Sequence, residues 1–198
     1  GSCSKCHSAE GLPFFMKEGV TASMPLANGL ACATCHNDLT TYTRFEVTSV
    51  KFPSGASLSM AEAGEAVDSN LCLNCHQGRQ SGPGLQGVIG ELGDDEMSEK
   101  LGFSNPHYFA AGATLFGTEA SGAYEYTGKE YNGRNVHVPG FQTCSECHDA
   151  HKLAPKAEDC ATCHAGVEDL ADIRMGEGDY DCNGAEEGIG VDIAGMDA

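Results

Sequence analysis

The chain has 198 residues, with 29 acidic against 11 basic side chains (net charge −18), 26 glycines, 7 prolines and 11 cysteines. That charge excludes nucleic acid and anionic membrane surfaces as partners, because both are bound through Lys/Arg-rich faces; it suits solubility, a basic protein partner or cations. No apolar run is long enough for a transmembrane helix.

From the N-terminus, the first feature is Cys3-Ser4-Lys5-Cys6-His7, followed by an apolar stretch over 11–20. A second Cys-x-x-Cys-His stands at Cys32, Cys35 and His36. Residues 42–52, rich in β-branched and aromatic side chains and bounded by Pro53-Ser54-Gly55, are expected to form a strand. Residues 60–67 carry a short helical pattern with Ser59 as N-cap. Asp68-Ser69-Asn70 is expected to cap the turn bearing a third motif, Cys72, Cys75 and His76. Residues 77–90, with several glycines, are expected to be loop, and 94–101 a short helix with acids in its first turn. Asn105-Pro106 reads as an N-cap followed by proline at the first helical position, which places His107 in a first helical turn. Residues 124–132 suggest a hairpin around Thr127-Gly128-Lys129. His137 lies in an extended run before Pro139.

Two further copies close the series: Cys144, Cys147 and His148, then Cys160, Cys163 and His164. The pentapeptide is the attachment signature of c-type haem. Two thiols add to the two vinyl groups and the following histidine becomes the proximal iron ligand. Five copies use ten of the eleven cysteines. Disulfides need no histidine, and zinc ribbons do not place one after each pair. At the histidine usage of this chain, five coincidences have a probability on the order of one in ten million. The sequence therefore points to five covalent haem c groups.

Five macrocycles leave about 40 residues each, too few to enclose them and also build an ordinary core. Low helix and sheet content follows, with the porphyrins supplying much of the buried apolar surface. The spacing of the motifs is irregular, so no repeat array is expected.

Eight histidines less five proximal ones leave His107, His137 and His151 as candidate distal ligands. His151 is only three residues beyond His148 and cannot easily reach the opposite face of the same ring, so it is expected to serve a neighbouring haem. Two irons then lack a histidine. Methionine (Met16, Met24, Met60, Met97 or Met175), an open position, or histidines from outside this chain would complete them.

In the tail, Asp179, Asp181, Asn183 and Glu187 resemble the first half of an EF-hand-type calcium loop, with Gly190 where the bidentate glutamate would stand. A solvated acidic tail is the alternative to Ca2+. Cys182 is left without a motif partner.

The five motifs and the Cys-x-x-Cys-His-x-x-His element at 144–151 resemble multihaem c-type cytochromes, over residues 1 to about 165. Asn105-Pro106-His107-Tyr108-Phe109-Ala110-Ala111-Gly112 and His137-Val138-Pro139-Gly140-Phe141 resemble stretches between haem motifs of large extracytoplasmic members. The resemblance implies a mostly irregular multihaem cytochrome c fold: short helices around the motifs, one or two small β-hairpins, and a haem stack as core. A single domain over 1–175 and an acidic tail over 176–198 are expected. It implies electron transfer to redox partner proteins or extracellular acceptors, in the periplasm or at the cell surface, after removal of a leader. Some members polymerise into conductive filaments, so a homopolymer is one expected state. No catalytic residue is recognisable; a reductase or oxidase with one open haem is the competing reading.

Overall fold

The computed structural model describes residues 3–27, 29–61, 67–93, 95–170, 173 and 184–185. Polypeptide packing divides the chain into two compact units, Gly1–Val138 and Pro139–Ala198. Both are small and irregular, with short helices and two-stranded antiparallel pairs, an architecture compatible with a multihaem cytochrome.

The first unit opens with α1 (Ser4–His7) and α2 (Gly11–Glu18). Gly11 permits their contact: a Cβ there would sit 1.7 Å from the Ser4 carbonyl oxygen. Helix α2 stops at Gly19, whose φ of 71° is one that glycine adopts without penalty. Helix α3 (Cys32–Cys35) leads into strand β1 (His36–Asp38), which pairs with β2 (Thr43–Arg44). Strand β3 (Val50–Lys51) pairs with β4 (Ser57–Leu58). The single strand expected over 42–52 is thus two short strands in two different hairpins. Between them the chain turns inward to bury Val47 and to present the Val47 and Thr48 carbonyls to Asn70.

Helix α4 (Asp68–His76) is the centre of this unit. It begins after Val67, so Asp68, Ser69 and Asn70 form its first turn rather than a cap before it. Asn70 is fully buried. Its amide donates to the Val47 carbonyl (2.8 Å), the Thr48 carbonyl (3.2 Å) and Ser59 Oγ (3.0 Å), and its Oδ1 accepts from the Met60 N–H (2.7 Å). One polar side chain thereby pins the 47–60 segment to the third motif. Of the helix expected over 60–67, residues 62–66 lie outside the described residues, and Met60 and Ala61 are bends.

The loop expected over 77–90 contains helix α5 (Gly82–Ile89). Ser81 Oγ accepts from the Gly84 N–H at 3.1 Å, and Pro83 falls in the first turn, where its missing N–H costs nothing. The glycines masked that start signal. Residues 95 and 99–100 are turns and 96–98 and 101 have no regular structure, so no helix forms there; Asp94 lies outside the described residues. Ser98 closes a local turn instead, accepting the Leu101 N–H on its carbonyl and the Lys100 N–H on its hydroxyl.

Helix α6 (Ala111–Phe116) starts four residues beyond His107. Asn105 Oδ1 does accept the His107 N–H (2.8 Å), but this closes a side-chain turn, and His107 and Phe109 then take left-handed φ values of 77° and 49°. A Thr127-Gly128 turn forms as expected, with Gly128 at φ 78°. Its flanks are not paired strands: the Asn132 carbonyl and the Asn135 N–H bond to Thr118 and Leu115 instead.

Leu12, Val47, Val50, Phe52, Met60, Leu71, Leu73, Ala113, Phe116 and Ala120 are buried. Phe52 and Phe116 meet edge-to-face at 5.6 Å, and Arg134 lies over the Phe116 ring at 4.5 Å. This core is small, and Leu26, Phe103, Tyr108 and Phe109 are among many large apolar side chains left exposed.

In the second unit, helix α7 (Cys144–Cys147) runs into strand β5 (His148–Asp149), paired with β6 (Ala154–Pro155) and followed by α8 (Ala157–Cys160).

Candidate haem-attachment sites

Each Cys-x-x-Cys-His motif forms one helical turn. The His7, His36, His148 and His164 backbone N–H groups each donate to the carbonyl of the first cysteine four residues earlier, and Cys72 to His76 lie within α4. A turn of this kind puts residues i, i+3 and i+4 on one face, which brings both thiols and the imidazole to the same side.

The two residues between the cysteines anchor the turns. Thr34 Oγ1 accepts the Ala31 N–H (3.0 Å) and donates to the Ala9 carbonyl (2.9 Å). Glu146 accepts the N–H groups of Gln142 (2.8 Å) and Thr143 (2.7 Å), closing a capping box that holds its carboxyl below the usual range. Leu73 is buried against α6, where a Cβ on Gly112 would stand 2.8 Å from its Cδ2.

Two motif histidines have defined orientations. His36 Nδ1 is 2.6 Å from the Tyr42 carbonyl, and His76 Nδ1 is 2.6 Å from the Phe109 carbonyl. A carbonyl only accepts, so Nδ1 carries the proton and Nε2 keeps its lone pair for a metal. Both carbonyls belong to residues with left-handed φ, 54° for Tyr42 and 49° for Phe109.

The second and fourth motifs share one local design. Asp38 Oδ1 accepts the Thr40 and Thr41 N–H groups; Asp149 Oδ1 accepts those of His151 and Lys152. These bonds hold both carboxyls below the ordinary Asp range. A left-handed residue follows each turn, Tyr42 or Leu153 (φ 55°), and a strand returns to the motif. The carbonyl of the second cysteine then accepts a returning N–H, Phe45 on Cys35 and Lys156 on Cys147. A register shift between His36 and Asp38 absorbs Asn37, the one extra residue.

Motifs distant in sequence meet. Cys75 hydrogen-bonds Cys6, and that bond is the main reason the Cys6 thiol falls to about 6 while Cys75 is pushed up; burial raises both. Cys6 Sγ also lies 3.7 Å from the Asn74 carbonyl. Cys147 is raised by burial and then by the neighbouring Cys160, and Lys156 Nζ joins these two motifs by reaching the Ser145 carbonyl (3.2 Å) and Asp159 (3.4 Å).

Of the distal candidates, His107 faces a motif histidine: its ring centroid is 5.8 Å from that of His7, with the planes at 67°. His137 and His151 are exposed. Met60 is buried beside Arg134, which reaches its sulfur at 3.6 Å, whereas Met97 is almost fully exposed. Asp179, Asp181, Asn183, Glu187 and Cys182 lie outside the described residues. The sequence reading missed Tyr42, Phe109 and Leu153. An aspartate one or two residues after the motif histidine is the signal that marks two of the three turns.

The donor set fits haem c. Paired thiols and an imidazole share one helical face, imidazoles are oriented through Nδ1, and exposed apolar side chains offer a surface for a macrocycle to cover. Among the described residues no three His, Cys, Asp or Glu side chains converge as a bare metal ion would require.

These features are compatible with a multihaem c-type cytochrome. The chain is 29% identical, over 84% of its length, to the C-type polyheme cytochrome OmcB from two strains of Geobacter sulfurreducens, and 27% identical over 83% to the C-type polyheme cytochrome OmcC of that species. It spans 29% of the length of OmcB and 22% of that of OmcC. No family model and no solved structure matches. Among the described residues no helix is long and apolar enough to cross a membrane.

Proposed function

We propose that the chain carries electrons among five covalently attached haems, as a carrier rather than an enzyme, in the periplasm or at the cell surface. The observation that carries this is the pairing of one-turn attachment motifs: Cys6 Sγ of the first lies 3.7 Å from the Asn74 carbonyl of the third, far away in sequence, and Lys156 bridges Ser145 of the fourth to Asp159 beside the fifth. Such pairing brings haem sites together, as a conduit needs and a single catalytic centre does not.

The bound haems supply the one-electron chemistry; the polypeptide fixes their spacing, their axial ligands and their access to water. The thioether pairs are Cys3/Cys6, Cys32/Cys35, Cys72/Cys75, Cys144/Cys147 and Cys160/Cys163. Proximal ligands are His7, His36, His76, His148 and His164; distal ligands are His107, His137 and His151. A haem stack then completes the core that the polypeptide leaves small. Assembly into a conductive filament is compatible with this reading.

Intact mass and a redox titration followed by low-temperature electron paramagnetic resonance test it. Five haem additions and at least three low-spin bis-histidine centres are expected. Fewer additions overturn the five-haem reading. Turnover of a small ligand at an open iron favours the reductase reading, which the shortfall of two histidines motivates.

A further inference from the structure

Residues 105–110 lie between two motifs and engage both. On one side the loop is fixed to the end of α4: the Arg79 N–H donates to the Pro106 carbonyl (3.0 Å) and His76 Nδ1–H to the Phe109 carbonyl (2.6 Å). On the other, His107 faces His7 at 5.8 Å between ring centroids. Two imidazoles bound to one metal through nitrogens about 2 Å away place their centroids about 6 Å apart, with any angle between the planes allowed. The observed separation meets that requirement before any metal bond holds it.

The backbone explains how one loop serves both sites. Asn105 Oδ1 accepts the His107 N–H, and His107 and Phe109 adopt left-handed φ on either side of Tyr108. Non-glycine residues in that region cost on the order of 1 kcal/mol each and persist where surrounding contacts demand them. Here the two left-handed residues are the ones whose groups reach the motifs, the His107 ring and the Phe109 carbonyl. Tyr108 between them is exposed.

We infer that the 105–110 loop couples two haem sites: His107 is the sixth ligand at the site of Cys3, Cys6 and His7, and the Phe109 carbonyl orients His76 at the site of Cys72 and Cys75. This rests on the five-haem reading above and names which distal histidine serves which site. Phe109 acts as a positioning residue through its backbone. A displacement of the loop alters a ligand at one site and the basicity of the proximal ligand at the other, so the two respond together.

Five variants of the full chain test the coupling, each with haem content read by intact mass. His107→Ala retains five haems and loses one low-spin bis-histidine signal, and His107→Met raises the potential of one centre. Placed in a Cys3→Ser/Cys6→Ser background, His107→Ala changes nothing further. Phe109→Pro, which forces φ to about −65°, changes two centres at once, those of His7 and His76. Phe109→Gly, which keeps positive φ accessible, leaves the native spectrum. An unchanged spectrum in five-haem His107→Ala, or an effect of His107→Ala that persists in the double-serine background, overturns the ligand assignment. A Phe109→Pro spectrum altered at one centre only overturns the coupling. A native chain with fewer than five haems defeats the underlying reading instead, whatever the variants do.

Discussion

At the scale of single residues, the side chains that matter most beyond the motifs are short and polar. Asn70 spends its whole amide on four partners in a buried site. Asn70→Ala leaves two carbonyls and one N–H without partners and is expected to cost about 2–4 kcal/mol, read as a lower denaturant midpoint at unchanged slope. Asn70→Asp keeps the acceptor for Met60 but turns a carboxylate toward the Val47 and Thr48 carbonyls, and is expected to destabilise at least as much. Asp149 works differently, at an exposed turn with two N–H donors. Asp149→Asn retains an acceptor and is expected to be tolerated. Asp149→Ala frees the turn carrying His151, and its expected signature is a broadened signal from the centre proposed to take His151 as ligand.

At the scale of elements, the motifs were legible because attachment fixes five positions by covalent chemistry, and one helical turn is the shape that chemistry requires. What lay between them was less legible, for reasons visible in particular segments. Residues 42–52 have strand composition, yet Asn70 draws the Val47 and Thr48 carbonyls away from any ladder, and two hairpins result. Ser81-Gly82-Pro83 starts a helix that glycine content concealed. Asn105-Pro106 has helix-start chemistry, but the Asn105 side chain closes a turn on His107, and the Phe109 carbonyl is held by His76, a partner 33 residues away. Local signals compete poorly where a distant imidazole decides the backbone. Packing of elements also rests on close approach. Gly11→Ala sets a methyl group against the Ser4 carbonyl and must push α2 off the first motif. A loss of about 1–3 kcal/mol is expected, with a smaller five-haem fraction by intact mass.

At the scale of the whole molecule, the division after Val138 assigns three motifs to one unit and two to the other. A chain ending at Val138 is expected to retain three haems and native-like spectra for the His7 and His76 centres; loss of either would show that its attachment sites depend on the second unit. The net charge of −18 acts at longer range. Reduction by a basic protein donor is expected to slow as ionic strength rises, because screening shortens the reach of the acidic surface to about 8 Å at physiological salt. Self-association is expected to respond in the opposite direction, since added cations relieve repulsion between copies. Stopped-flow rates and light scattering across a salt series separate the two effects.

The meeting of Cys6 with Cys75 also bears on how the protein is made. Two thiols brought side by side can be joined to each other by an oxidant, and the contact holds the Cys6 thiol below its usual range. On the five-haem reading, a chain that folds before it is loaded therefore risks sealing two attachment sites with a single cross-link. On that reading maturation outruns folding or proceeds under a reductant, and chains folded without their cofactor in the absence of a reductant are expected to fall short of haem in pairs rather than one at a time.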